Sequence, residues 1–185
     1  MEEELIKKKI ISDLVEQYGQ SINRLVYTYV KNSHETEDLT QDIFVKCYQK
    51  LDQFSGGSSY STWLYRIAVN HCKDYIRVNT LRRAKKSIIE QFTRSYEQTT
   101  EELVINKSSQ NELIHLVLTL PEKYRAPIYL HYIEDKPISD VMEILGLSKN
   151  TVYTRLRRGL DKLKKLYHME GLSFCGYSKG IEGNH

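Results

Sequence analysis

Cysteine is scarce in this chain and badly placed for a framework. Cys47, Cys72 and Cys175 are an odd number, with no CxxC spacing and no neighbouring His cluster, so neither a disulfide scaffold nor a zinc site is indicated. Cys47 and Cys72 read as small core residues. Long apolar runs are missing as well: nothing approaches the roughly 20 apolar residues that a membrane-spanning helix requires. The stretch from Met1 to Lys9 mixes Glu with Lys, which is not the basic, apolar, small-residue order of a secretory signal. These absences predict a soluble, cytoplasmic protein. Strand-period alternation, internal repeats and low-complexity tracts are also absent. The six histidines are scattered, and His71, His115 and His131 build no metal or acid/base site. No cofactor and no small-molecule substrate are expected.

Excess charge of one sign is small too. A formal net charge of +3 over 185 residues does not by itself identify a nucleic-acid partner, so its distribution matters more. Acids gather between Glu35 and Asp52, and bases from Arg77 to Lys86 and from Lys149 to Lys165. Helix-period patterns fill the rest. Leu14, Tyr18, Ile22, Leu25, Tyr29 and Val30 recur at the three-to-four spacing of an amphipathic helix, which Asn32 and Ser33 end. A second helix is predicted from about Glu35 to Leu51, burying Leu39, Ile43, Phe44, Cys47 and Leu51 behind an acidic outer face. Ser55, Gly56, Gly57, Ser58 and Ser59 make a loop. A third helix follows from about Ser61 to Val78, with Leu64, Ile67, Ala68, Cys72 and Tyr75 or Ile76 facing in.

Apolar density falls from Arg82 to Asn106, which reads as a flexible linker with a little helix around Ile88 to Phe92. The expected organisation is therefore all-α: two small helical domains, residues 1–81 and 107–170, around a linker at 82–106, with a flexible tail at 171–185. In the second domain Leu113, Leu116, Val117 and Leu120 mark a helix, and Pro121 opens another. Pro127 should kink that helix, because it removes an internal hydrogen bond. Ile138, Val141, Met142 and Leu145 then form the stripe of a short helix that Gly146 stops. Ser148 is an N-cap for a last helix, with Val152, Leu156, Gly159, Leu163 and Leu166 on one face and Lys149, Tyr153, Thr154, Arg157 and Arg158 on another. A helix, a Gly turn and a second helix beginning with polar and basic residues are the parts of a helix-turn-helix. Its first turn offers N–H groups to a phosphate, and Arg or Lys can reach guanine edges. A basic helix alone more often merely solvates a face; the preceding helix and turn reverse that reading.

Three segments carry a resemblance: EDLTQDIFVKCY from Glu37, STWLYRIAVNHCKDYIR from Ser61, and LPEKYRAPIYLHYIEDKPISDVMEILGLSKNTVYTRLRRGLDKLKK from Leu120. Together they resemble the bacterial sigma factors of the compact extracytoplasmic-function type, within the sigma-70 family, over roughly Leu14 to Leu166. The resemblance implies a protein that is not an enzyme. It would bind core RNA polymerase, direct it to two promoter elements and assist DNA melting.

Residue by residue, it implies that Asp38, Gln41 and Asp42 dock on the clamp helices of the largest polymerase subunit, with the flap as a second contact. Phe54, Tyr60 and Asn70 would form the pocket for a base flipped from the minus-10 element, with Arg66, Lys73 and Arg77 near phosphates. Trp63 is expected to pack inward rather than stack on DNA. Lys149, Asn150, Tyr153, Thr154, Arg157 and Arg158 would contact the minus-35 element. Lys149, Asn150 and Tyr153 depart from the residues common there, so no promoter sequence carries over. An anti-sigma partner, of a kind often membrane-bound, is implied as well.

Two other readings start from the same residues. A stand-alone helix-turn-helix regulator, usually a symmetric dimer on duplex DNA, explains Ile138 to Leu166 but not the motifs around Asp38 and Trp63. A DNA recombinase would need a cluster of Arg, His and nucleophile, which the sequence lacks.

Overall fold

The structure, a computed structural model, describes residues 2–90 and 109–169, with side chains over 2–81 and 114–165. The tail at 171–185, Cys175 and most of the expected linker lie outside the described residues. Those residues form helices α1 (Glu2–Val30), α2 (Ser33–Lys50), α3 (Tyr60–Glu90), α4 (Ser109–Thr119), α5 (Glu122–Ile128), α6 (Ile138–Leu145) and α7 (Lys149–Met169). No strand occurs among them.

The first three helices pack into one bundle, with Ile22, Leu25, Ile43, Cys47, Leu64 and Cys72 fully enclosed. Asn32 separates α1 from α2: its side-chain oxygen accepts the Glu35 N–H at 2.9 Å, satisfying one of the donors that every helix start leaves open. Ser59 does the same for α3, accepting the Thr62 N–H at 3.0 Å. Helix α3 runs to Glu90, well past Val78. The drop in apolar density there does not stop it, because Leu81, Arg82, Arg83, Ala84, Lys85 and Lys86 all have high helix propensity.

In the second bundle Pro127 does not break the chain's helical course. A single wide turn, a π-helix at Tyr129–Ile133, follows it directly, and the Glu134 N–H closes on the Tyr129 carbonyl at 3.1 Å. Wide turns of this kind absorb a local misfit in the i→i−4 ladder. Gly146, at φ 65°, makes the left-handed stop after α6. Gly159 lets α7 lie close on α5: a Cβ there would come within 3.0 Å of Ile128 Cγ1.

The two bundles touch. Helix α1 meets α4 and α5, and α3 meets α6. Tyr65 and Tyr129, both fully enclosed, sit at this junction. The Tyr129 hydroxyl lies 2.7 Å from both the Ser21 carbonyl and a Glu134 carboxylate oxygen, which share its one proton, and Arg125 donates to the Thr28 carbonyl at 3.1 Å.

Candidate nucleic-acid interface

The helix-turn-helix consists of α6, the Gly146 turn and α7. Ser148 caps α7, its hydroxyl 3.4 Å from the Thr151 N–H and 2.9 Å from the Thr151 hydroxyl. Val152, Leu156 and Gly159 turn inward. At about 100° per residue the remaining positions split into two neighbouring stripes, Lys149, Tyr153 and Arg157 beside Asn150, Thr154 and Arg158. All are exposed except Thr154, which is half-buried. The structure therefore brings the six residues expected at the minus-35 element onto one open face. Lys149 Nζ lies 6.0 Å from the centre of the Tyr153 ring, close enough for a weak cation–π contact.

Sequence reading missed the floor of this face. A cleft between the start of α5 and α7 is lined by Lys123 and Tyr124 on one side and Thr151, Thr154, Arg155 and Arg158 on the other. Lys123 lies 26 positions from Lys149, so only the packing of α7 on α5 reveals it.

The residues expected at the minus-10 element fall into two groups. Phe54 and Tyr60 stack with ring centres 4.3 Å apart, and Phe54 leans on Trp63 at 5.4 Å. Tyr60 remains 40% exposed and Trp63 only 6%, so Trp63 is a packing residue, as its motif position suggested. Arg66, Asn70, Lys73 and Arg77, spaced four, three and four apart, form a separate stripe along α3. Asn70 stands ten residues from Tyr60, or about 15 Å along the axis, and does not share a pocket with the two rings.

Two cations of that stripe are already engaged. Arg66 pairs with Glu143 of α6 at 3.0 Å, and Lys73 Nζ donates to the Leu145 carbonyl at 3.2 Å. Burial, followed by the nearby Arg155 cation, lowers the Lys73 pKa. Arg77 stays on the exposed surface, 3.4 Å from Asp74.

Asp38, Gln41 and Asp42 are exposed along α2. Gln41 also edges a groove between α1 and α2, with Val15, Gly19 and Phe44. Beneath them Lys46 Nζ contacts His71 Nδ1 at 2.6 Å. Asp42 is 3.8 Å from His71 Nε2, too long for a hydrogen bond. Burial, then Lys46, holds the His71 pKa below its ordinary value, so the ring stays neutral and accepts from the lysine. Burial likewise pushes the Cys47 and Cys72 thiols up to about 12. Among the described residues no group of His, Cys, Asp and Glu could hold a metal ion. Nor is any helix there long and apolar enough to cross a membrane.

Comparison with known proteins agrees with this arrangement of two helical units. Residues 14–85 match the family Sigma-70 region 2, and residues 110–163 match Sigma-70, region 4. The chain is 34% identical over 182 residues to the ECF RNA polymerase sigma factor SigW of Bacillus subtilis, covering 88% of this chain and 97% of that protein. It is 27% identical to the ECF RNA polymerase sigma-E factor of Haemophilus influenzae, covering 85% and 87%.

Among solved structures, the sigma factor RpoE from Bartonella quintana, in complex with the anti-sigma factor NepR, aligns with a TM-score of 0.68. That match has 18% identity and covers 88% of this chain and 99% of that one. CnrH, solved with the cytosolic domain of CnrY, aligns at 0.62 with 20% identity, covering 88% and 90%. Both share the fold.

The two matched regions and their order define a sigma-70 type transcription initiation factor, which is not an enzyme. The chain belongs to the ECF RNA polymerase sigma factors. That membership displaces the stand-alone regulator and the recombinase.

Proposed function

We propose that this sigma factor grips its promoter at two points with the residues described above. The exposed face of α7, through Lys149, Asn150, Tyr153, Thr154, Arg157 and Arg158, reads the minus-35 duplex. The Phe54 and Tyr60 rings take an extruded base of the minus-10 element, while Arg66, Asn70, Lys73 and Arg77 track the strand. Unstacking a base costs a few kcal/mol, and stacking on an aromatic side chain returns about 1–3 kcal/mol per base. Asp38, Gln41 and Asp42 meet the clamp helices of the largest polymerase subunit, where opposite charge would speed encounter, and the second domain reaches the flap.

The observation that carries this reading is the helix-turn-helix itself: six polar and basic residues share one open face of α7 while its apolar face is packed. The working division is 1–81 for polymerase and minus-10 binding, 82–106 as a linker into which α3 continues as far as Glu90, 107–170 for the minus-35 element and 171–185 as tail. An anti-sigma partner fits the same scheme, since a solved structure of the same fold is a complex with one. Transcription initiation places the protein in the cytoplasm.

Transcription of genomic DNA by core polymerase, with and without the full chain, tests the proposal. Start sites that appear only with the chain, and share two upstream elements, are the expected result. Initiation unchanged by the chain, or tight duplex binding to which polymerase adds nothing, would overturn it.

A further inference from the structure

We propose that Tyr153 makes this sigma factor prefer thymine at one position of the minus-35 element, by laying its ring against the 5-methyl group of that base. The inference rests on the assignment of the α7 face to the minus-35 duplex and adds what one residue of that face reads. Tyr153 is 50% exposed. Among the described residues of the second domain it is the one large apolar side chain left exposed; the other tyrosine rings there, Tyr124, Tyr129 and Tyr132, are buried or half-buried. Lys149 precedes it by one turn and Arg157 follows it by one turn, so the ring stands between two exposed cations on one stripe. One turn beyond Arg157 comes the exposed Asp161, whose charge opposes phosphate. The length of α7 suited to DNA therefore runs from Lys149 to Arg158, with Tyr153 at its middle.

The ring is also set in advance. Lys149 Nζ lies 6.0 Å from its centre, a weak cation–π attraction, and a tyrosine has only two side-chain torsions to fix on binding. When α7 enters a major groove, whatever stands at the middle of its face loses water. For Lys149 and Arg157 that loss is offset by phosphates and guanine acceptors. A ring gains nothing from either. In the major groove guanine, adenine and cytosine present hydrogen-bonding groups, and thymine alone adds a methyl. Pressed against a cytosine amine or a guanine oxygen, the ring would leave that polar group unpaired. Against the thymine methyl it removes water from apolar surface on both sides. Rejection of the other bases thus adds to the attraction for thymine. The hydroxyl is not required, because the selection is a property of the ring. One turn of α7 is about 5.4 Å and base pairs stack about 3.4 Å apart, so this thymine stands about one or two base pairs from the base that faces Arg157.

Uracil in place of thymine removes the methyl group and nothing else. On a promoter mapped by transcription with the full chain, each thymine of the minus-35 element is replaced singly by deoxyuridine, and the affinity of the holoenzyme for each fragment is measured. The parent should lose about fourfold at one thymine, the worth of one buried methyl group. Tyr153→Phe should show the same loss. Tyr153→Ala, which leaves the packed face of α7 untouched, should bind the unmodified fragment more weakly and no longer distinguish uracil from thymine at that place. A minus-35 element with no sensitive thymine, a sensitivity that survives Tyr153→Ala, or one that Tyr153→Phe abolishes would overturn the proposal. Arg157→Ala with Arg158→Ala separates it from the reading on which it rests. If that double variant binds minus-35 DNA as the parent does, the assignment of α7 fails; if it is weakened while no thymine is sensitive, only the role of Tyr153 fails.

Discussion

At the scale of single residues, the account is carried by a few side chains whose surroundings decide their role. Arg157 and Arg158 stand exposed on the open face of α7. Replacing either by Ala should weaken minus-35 duplex binding by about 1–3 kcal/mol if a base contact is lost. The check is holoenzyme affinity for promoters altered base by base, and unchanged discrimination in both variants would remove them from base readout.

His71 offers a prediction with a sign. Its folded pKa is lowered, first by burial and then by Lys46. As pH falls, the unfolded chain therefore takes the proton first, near about 6.5, and folding loses free energy from there down through the folded pKa. His71→Gln, which can still accept from Lys46, should lose less of its urea midpoint than the parent between about pH 7.5 and pH 5.5. Equal losses would mean that other groups set the acid sensitivity.

Cys47 and Cys72 were legible as interior residues from their place on helical faces, and Trp63 from its position in the motif. Tyr65, Glu134 and Lys136 were not. A tyrosine on an amphipathic helix and two charges in a turn acquire a role only from partners about 70 positions away, and no local spacing encodes that.

At the scale of elements, the apolar periodicity and the caps made α2, α6, α7 and the Leu14–Val30 part of α1 readable, whereas the turns of α1 from Glu2 onward carry too weak an apolar stripe to be read. The stops at Asn32 and Gly146 fell where local chemistry put them. Two elements were less readable. Helix α3 outruns its apolar stripe because basic residues and Ala sustain a helix without a core behind it. The wide turn after Pro127 could not be foreseen, because a proline reports a missing donor and not how neighbouring carbonyls are re-satisfied.

Packing of α7 on α5 depends on Gly159. Gly159→Val should push against Ile128, where even a Cβ comes within 3.0 Å. Overpacking of this sort costs typically about 1–3 kcal/mol, seen as a lowered urea midpoint, and an unchanged midpoint would show that α7 shifts freely. On α2, Asp38→Lys with Asp42→Lys reverses two exposed charges. Core polymerase binding should weaken while the circular dichroism of the chain stays that of a folded helical protein. Retained affinity for core enzyme would sink the docking assignment.

At the scale of the whole molecule, the two groups of residues proposed to meet promoter DNA differ in surroundings: the face of α7 is open, while Arg66 and Lys73 of α3 each carry a contact from α6. The two helical units and the helix-turn-helix could be read from the sequence, but their mutual contact could not, since it joins residues on either side of the inter-domain segment. Membership of the ECF sigma factors supports giving both groups of residues one task.

The central claim is that the protein directs core polymerase to open DNA at a defined promoter. Permanganate reactivity of thymines tests it most directly, on a promoter fragment mapped in the transcription experiment. With polymerase and the full chain together, thymines from the minus-10 element to the start site should become reactive, and with either component alone they should not. Unreactive thymines in the complete mixture, on DNA that the protein binds equally well without polymerase, would contradict the account.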